Sequence, residues 1–285
     1  MAATTSVKRS ARPGPARRPA PGAARPRRPA AKAAATLTYG YCVVRGPQPD
    51  VAGGPPGLEG MAPPNALALG DDLWLIAAEA PAALYGPSAI ESRASDLDWL
   101  SECALAHEAV IERLMGAPAV APLKLFTLFS TPQAARRRLT AKRAALLATL
   151  RRLAGAAEWG VRVHARPRPA SPARAERPAS GRGFLESKRD ARRLAQEDLE
   201  ATRARARRGF ATLGRLARAA RQLPPPPGAS PSLLLDAVFL VTRPRQAAFE
   251  TAFERLATEL AALGADVVFS GPWPAYHFIE ADGGR

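Results

Sequence analysis

Cysteine is nearly absent. Cys42 and Cys103 are the only two in 285 residues, and neither lies in a C-x-x-C pair. The sequence therefore carries neither a thiolate metal knuckle nor a disulfide framework, and a reducing cytoplasm fits. Histidine is equally scarce, with three residues scattered along the chain, too few and too far apart for a metal cluster. No apolar run reaches about 18 residues, so no membrane span is expected. The N-terminus is basic but lacks the apolar stretch of a secretory signal. Phosphate-cradling G-x-x-x-x-G-K-[ST], dinucleotide G-x-G-x-x-G and nucleophile-elbow G-x-S-x-G patterns are all missing. "HEAVI" (107–111) opens like a zinc-protease helix, but the second histidine of that motif falls on Ile111. These absences argue against an enzyme. No cofactor, no metal and no small-molecule substrate is expected.

Positive charge is abundant, with a net charge of +16, but it is unevenly placed. Residues 1–35 hold nine Lys or Arg and no acid, and residues 162–222 hold seventeen basic and six acidic residues. Such a balance points first to nucleic acid. The accompanying wealth of Ala, Pro and Gly is also what a GC-rich coding bias leaves behind. The first 35 residues contain no aromatic side chain on which a base could stack. They have almost nothing apolar to bury, and are read as a disordered Arg/Pro/Ala-rich tail.

From Thr36 onward the hydrophobic pattern alternates between strand and helix periods. Strands are expected at 36–44, 73–79, 119–129, 158–165, 233–241 and 266–270. Helices are expected at 96–115, 131–153, 184–223 and 244–263. Trp99, Cys103, His107, Val110 and Leu114 line one face of the first helix, which makes His107 a hydrogen-bonded core histidine. Asp96 and Asp98 suit that helix's N-terminus, and Asp71-Asp72 suit a strand entry. The order implies an α+β fold with two α+β domains, at 36–156 and 157–285. The second is ferredoxin-like with an enlarged long helix (184–223).

The last strand runs into "GPWPAYHF" (271–278), three aromatics and two prolines in eight residues. Prolines stiffen the backbone on both sides of Trp273, and aromatics bury large areas. The stretch suits anchoring better than catalysis, since no carboxylate or nucleophile neighbours His277 in sequence. Trp273, Tyr276, His277 and Phe278 are the candidate anchor residues. Either they plug the protein's own sheet or they face a partner. Trp273 is placed in the core. His277 is placed toward a partner, opposite Tyr276 and Phe278 on an extended chain.

"HEAVIERL", "VAPLKLFTLF", "EWGVRV" and "GPWPAYHF", in that order, resemble the gas vesicle GvpL/GvpF family across residues 36–281. One departure is Lys-Leu-Phe after Pro122-Leu123, where many members have Arg-Phe-Gly. The resemblance implies a minor structural or assembly component of gas vesicles, the hollow shells that give microbes buoyancy. It implies a protein located at the vesicle or in the cytoplasm, whose partners are the shell protein and other accessory Gvp proteins. No specific nucleic acid and no membrane would be bound. The alternative is a nucleic-acid-binding protein using the tail and the helix at 184–223.

Overall fold

The computed structural model describes residues 35–166 and 181–279. The expected tail therefore lies, except for Ala35, outside the described residues, as does most of the Pro/Arg-rich stretch before the long helix. The first sheet is built from β1 (Thr36–Arg45), β2 (Asn65–Gly70), β3 (Leu73–Pro81), β4 (Ala119–Pro122) and the short β5 (Leu128–Phe129). Between β3 and β4 run α1 (Ala82–Tyr85), α2 (Pro87–Arg93) and α3 (Leu97–Glu112). After β5 come α4 (Pro132–Ala141) and α5 (Arg143–Leu153). The second sheet holds β6 (Ala156–Ala165), β7 (Ala219–Gln222), β8 (Leu233–Thr242) and β9 (Ala265–Trp273), with α6 (Gly181–Gly214) and α7 (Gln246–Ala262) between strands.

The second sheet reads β9-β6-β8-β7 and is antiparallel throughout. Its chain order, β-α-β-β-α-β, is ferredoxin-like, and its first helix is enlarged to 34 residues. The main path of the first sheet repeats that spatial order, β4-β1-β3-β2. There the crossover from β1 to β2 is a loop, and its Leu58 is buried on the sheet in place of a helix.

Among the described residues the apolar side chains gather into three cores. One face of the first sheet, with Tyr39, Tyr41 and Ile76, receives Trp99, Cys103 and Val110 of α3. A bulge between Gly40 and Cys42 leaves Tyr41 as the extra residue of β1, so Tyr41 and Cys42 both turn to this core. The opposite face, with Val43, Leu73 and Leu75, packs on Leu150 and Leu153 of α5. That middle core also receives Val238 and Leu240 of β8. The alternate residues Ala237, Phe239 and Val241 point the other way, to α6 and α7. Strand β8 is thus apolar on both faces, which is why its sequence reads as an unbroken hydrophobic run.

Several elements differ from expectation. The expected strand at 119–129 stops at Pro122, and a loop with Phe126 at φ 61° intervenes before β5. The expected helix at 131–153 breaks at Lys142, whose φ of −106° and ψ of 22° leave the helical region. The long helix ends at Gly214, a residue suited to helix termination, and Ala219–Gln222 pairs with β8 as a strand. Among the described residues, no helix is long and apolar enough to cross a membrane.

Candidate functional site

The C-terminal stretch leaves the second sheet as the end of β9. Gly271 has φ 117°, and it lies so close to β6 that an added Cβ would sit 2.7 Å from the Glu158 carbonyl oxygen. Glycine is required there by both conformation and space. The Gly271–Pro272 peptide is cis. Beyond Trp273 the chain does not stay extended, but closes a 3-10 turn at Tyr276–Phe278.

That turn distributes its three side chains to three different elements. Phe278 is 1% exposed and enters the middle core with Val238, Leu240 and Leu150. Its carbonyl accepts a 2.7 Å hydrogen bond from Arg152, and the Arg221 guanidinium lies 5.5 Å from its ring centre. Tyr276 donates its hydroxyl proton to Glu108 Oε2 at 2.7 Å, tying the turn to α3. The His277 backbone N–H donates to Glu158 Oε2 at 2.9 Å, and its Nδ1 donates to Oε1 at 2.6 Å. Glu158 is almost wholly buried in β6, and these two donors satisfy it.

The roles expected within the stretch are therefore redistributed. Trp273 is 42% exposed and is not the core plug; Phe278 is. His277 is exposed, but it sits on a turn rather than an extended chain and faces a carboxylate that is 119 residues away in sequence. The sequence offered two partial signals for the missing partners. Glu158 precedes the buried Trp159, and Glu108 follows the buried His107 at the edge of the buried face of α3.

Burial, the first cause, raises the Glu108 carboxyl above the usual carboxylate range, and the charges of Glu112 and Glu158 push the same way. The Tyr276 hydroxyl is pushed up by burial and then by its bond to Glu108. Glu108 Oε1 is buried without a hydrogen-bond partner. Around these groups opens a cleft of about 480 Å³. Its floor is the back of the second sheet, where Gly160 pairs with Ser270 and Val238, and Arg162 with Val268 and Asp236. Among the described residues the His277 imidazole is hydrogen-bonded to Glu158 and to no hydroxyl or thiol. No described group of three or more His, Cys, Asp or Glu residues could hold a metal ion.

Replacing Trp273 by alanine is expected to move folding stability by less than about 1 kcal/mol, the usual range for a partly exposed side chain outside a core. Urea unfolding of the variant is the check. A loss comparable to a core aromatic would return Trp273 to the plug role.

The chain belongs to the gas vesicle synthesis protein GvpL/GvpF family, whose description matches residues 37–280. It is 34% identical over 254 residues to Gas vesicle protein L of Streptomyces sp. (strain CB03234), covering 85% of this chain and 92% of that one. The fold is similar to the crystal structure of the gas vesicle protein GvpF from Anabaena sp. PCC7120, with a TM-score of 0.63 and 16% identity over 88% of this chain and 98% of that one. It is also similar to the crystal structure of gas vesicle protein GvpF from Microcystis aeruginosa, with a TM-score of 0.57 and 15% identity, covering 86% and 99% of the two chains.

Proposed function

We propose that the chain is a non-catalytic structural or assembly component of gas vesicles. It acts in the cytoplasm while vesicles nucleate or grow, and binds the shell protein and other accessory Gvp proteins. Family membership across residues 37–280 carries this reading. The geometry supports it in two ways. Hydrogen bonds from the Tyr276 and His277 side chains and to the Phe278 carbonyl hold α3, β6 and α5 together at the C-terminal turn, while large apolar side chains such as Leu97 and Leu105 of α3 stand exposed. The arginines of α6 are partly matched by its own carboxylates, in Arg182–Glu186, Arg193–Glu197 and Arg203–Glu200 pairs. Such pairing leaves less free positive charge for a polyanion.

The test is flotation of vesicles from cells that make a tagged chain, followed by a denaturant wash and capture on the tag. The chain is expected to float with intact vesicles, to be released by the wash, and to bring the shell protein with it. Absence from the floating fraction at every growth stage, with no shell protein captured, would refute the reading. Sequence-selective nucleic-acid binding that persists at physiological salt would favour the alternative, since nonspecific polyanion binding fades steeply with salt.

A further inference from the structure

The cleft beside the C-terminal turn is acidic in a chain of net charge +16. Glu108, Glu158 and Asp236 line it, against the guanidinium of Arg162 and the imidazole of His277, which is bonded to Glu158 at 2.6 Å. Arg162 is already engaged by Asp236 at 3.1 Å. The lone-pair side of Glu108 Oε1 has no donor, an arrangement that costs free energy until a donor arrives. The half-exposed indole of Trp273 stands at the rim, and an aromatic face attracts a cation as a carboxylate does.

A second feature leads into the same cleft. Leu97, Ser101, Leu105 and Glu108 follow at spacings of four, four and three along α3, so they share one face of the helix. Leu97 is 74% exposed and Leu105 is 72% exposed. This stripe spans about 16 Å at the helical rise of 1.5 Å per residue. It ends at Glu108, which lines the cleft together with the exposed Val268.

We propose that the stripe and the cleft form one docking surface for a protein segment that carries a Lys or Arg side chain next to apolar residues. The cation enters between Glu108 and Trp273, and a small rotation of Glu108 turns its unpaired oxygen to the incoming N–H. The apolar residues lie along Leu105 and Leu97. Charge complementarity selects the occupant: an acidic cleft repels nucleic acid and anionic lipid surfaces, and the flanking leucines favour a peptide over a free cation. The proposal rests on the reading of the chain as a partner-binding vesicle protein, and supplies the chemistry of one contact.

The probe is a synthetic peptide, acetyl-Leu-Ala-Ala-Leu-Ala-Ala-Arg-amide, titrated into the full chain while the Trp273 indole N–H is followed by NMR. The control carries citrulline, a neutral isostere, in place of arginine. A charge-assisted, desolvated contact is expected to favour the arginine peptide about tenfold. Glu108→Gln keeps the acceptor for Tyr276 and is expected to reduce that preference to below about threefold. Leu105→Ser, a surface change, is expected to weaken both peptides alike and leave their ratio intact. An unmoved Trp273 resonance, equal binding of the two peptides, or an unchanged preference in Glu108→Gln would each overturn the proposal. If the chain floats with vesicles but the peptide fails, only the docking site falls. If the peptide binds but the chain never floats with vesicles, the vesicle reading falls and the site stands.

Discussion

Replacing Phe278 by alanine is expected to lower folding stability by about 3–5 kcal/mol, the range for truncating a fully buried aromatic. The reason lies in what meets at that ring. Phe278 is 1% exposed in a core that joins Leu73 and Leu75 of the first sheet to Val238 and Leu240 of the second, with Leu150 of α5 between. A cavity there removes contacts from both sheets at once, and the surrounding strands cannot collapse into it without shifting their registers. Loosening of the turn would also weaken two other anchors, since Tyr276 and His277 hold Glu108 and Glu158 through the same three-residue segment. Denaturant unfolding monitored by circular dichroism measures the loss. A stability within about 1 kcal/mol of the parent protein, as expected for an exposed side chain, would mean that the turn does not close the middle core. Phe278→Leu restores most of the buried volume and is expected to recover more than half of the loss.

The contrast between Phe278 and Trp273 marks the limit of what was legible in the sequence. The aromatic enrichment of residues 271–278 was plain, and so was an anchoring role. Which aromatic would be buried was not, because that depends on the direction of the backbone. Gly271 at φ 117° and the 3-10 turn at Tyr276–Phe278 redirect the chain, so the alternation of an extended strand does not apply. The partners of the turn are also non-local. Glu158 and Glu108 lie 119 and 168 residues before the residues they hold, and no local spacing announces such pairs.

Local features are legible in the sequence. Asp96 caps α3 by accepting from the Trp99 N–H at 3.0 Å, and Trp99, Cys103, His107 and Val110 are the buried face that their spacing implied. Asp71 and Asp72 form the hairpin loop between β2 and β3, with Asp72 held by Arg45 at 2.8 Å. Strand β7 went the other way. Ala217 and Ala220 continue the apolar spacing of α6, so helix periodicity alone runs past Gly214. The strand at Ala219–Gln222 has no branched or aromatic residue, and its pairing with β8 overrides local propensity.

His107 gives the second large effect, and it depends on pH. The ring is 2% exposed and stacks on Tyr41 at 5.4 Å between ring centres. Its Nε2 lies 3.1 Å from the Leu123 carbonyl oxygen. A carbonyl only accepts, so Nε2 carries the proton and Nδ1 is left as an acceptor. Nδ1 accepts from the Tyr39 hydroxyl at 2.7 Å, and the Tyr39 oxygen in turn accepts from the Phe126 N–H at 3.4 Å. The neutral ring thus satisfies a chain of buried polar groups, and a second proton on Nδ1 would set it against the Tyr39 hydroxyl proton. Burial, the dominant cause, pushes the His107 pKa from its ordinary 6.5 down to about 4, against the raising effect of the Leu123 bond. Below 6.5 the unfolded chain binds a proton at this site that the folded chain refuses, so stability falls as pH drops from 6.5 toward 4. Complete passage through that window is worth about 3 kcal/mol. His107→Gln removes the titration while keeping a donor and an acceptor. It is expected to be less stable than the parent near neutral pH by about 1–2 kcal/mol, and to close that gap by about 3 kcal/mol at pH 4, ending as the more stable of the two. Urea unfolding of both proteins across this pH range gives the difference directly, because acidic groups common to both cancel. A gap that stays constant between neutral pH and about pH 4 would show that His107 takes up its proton in the folded state as readily as in the unfolded chain.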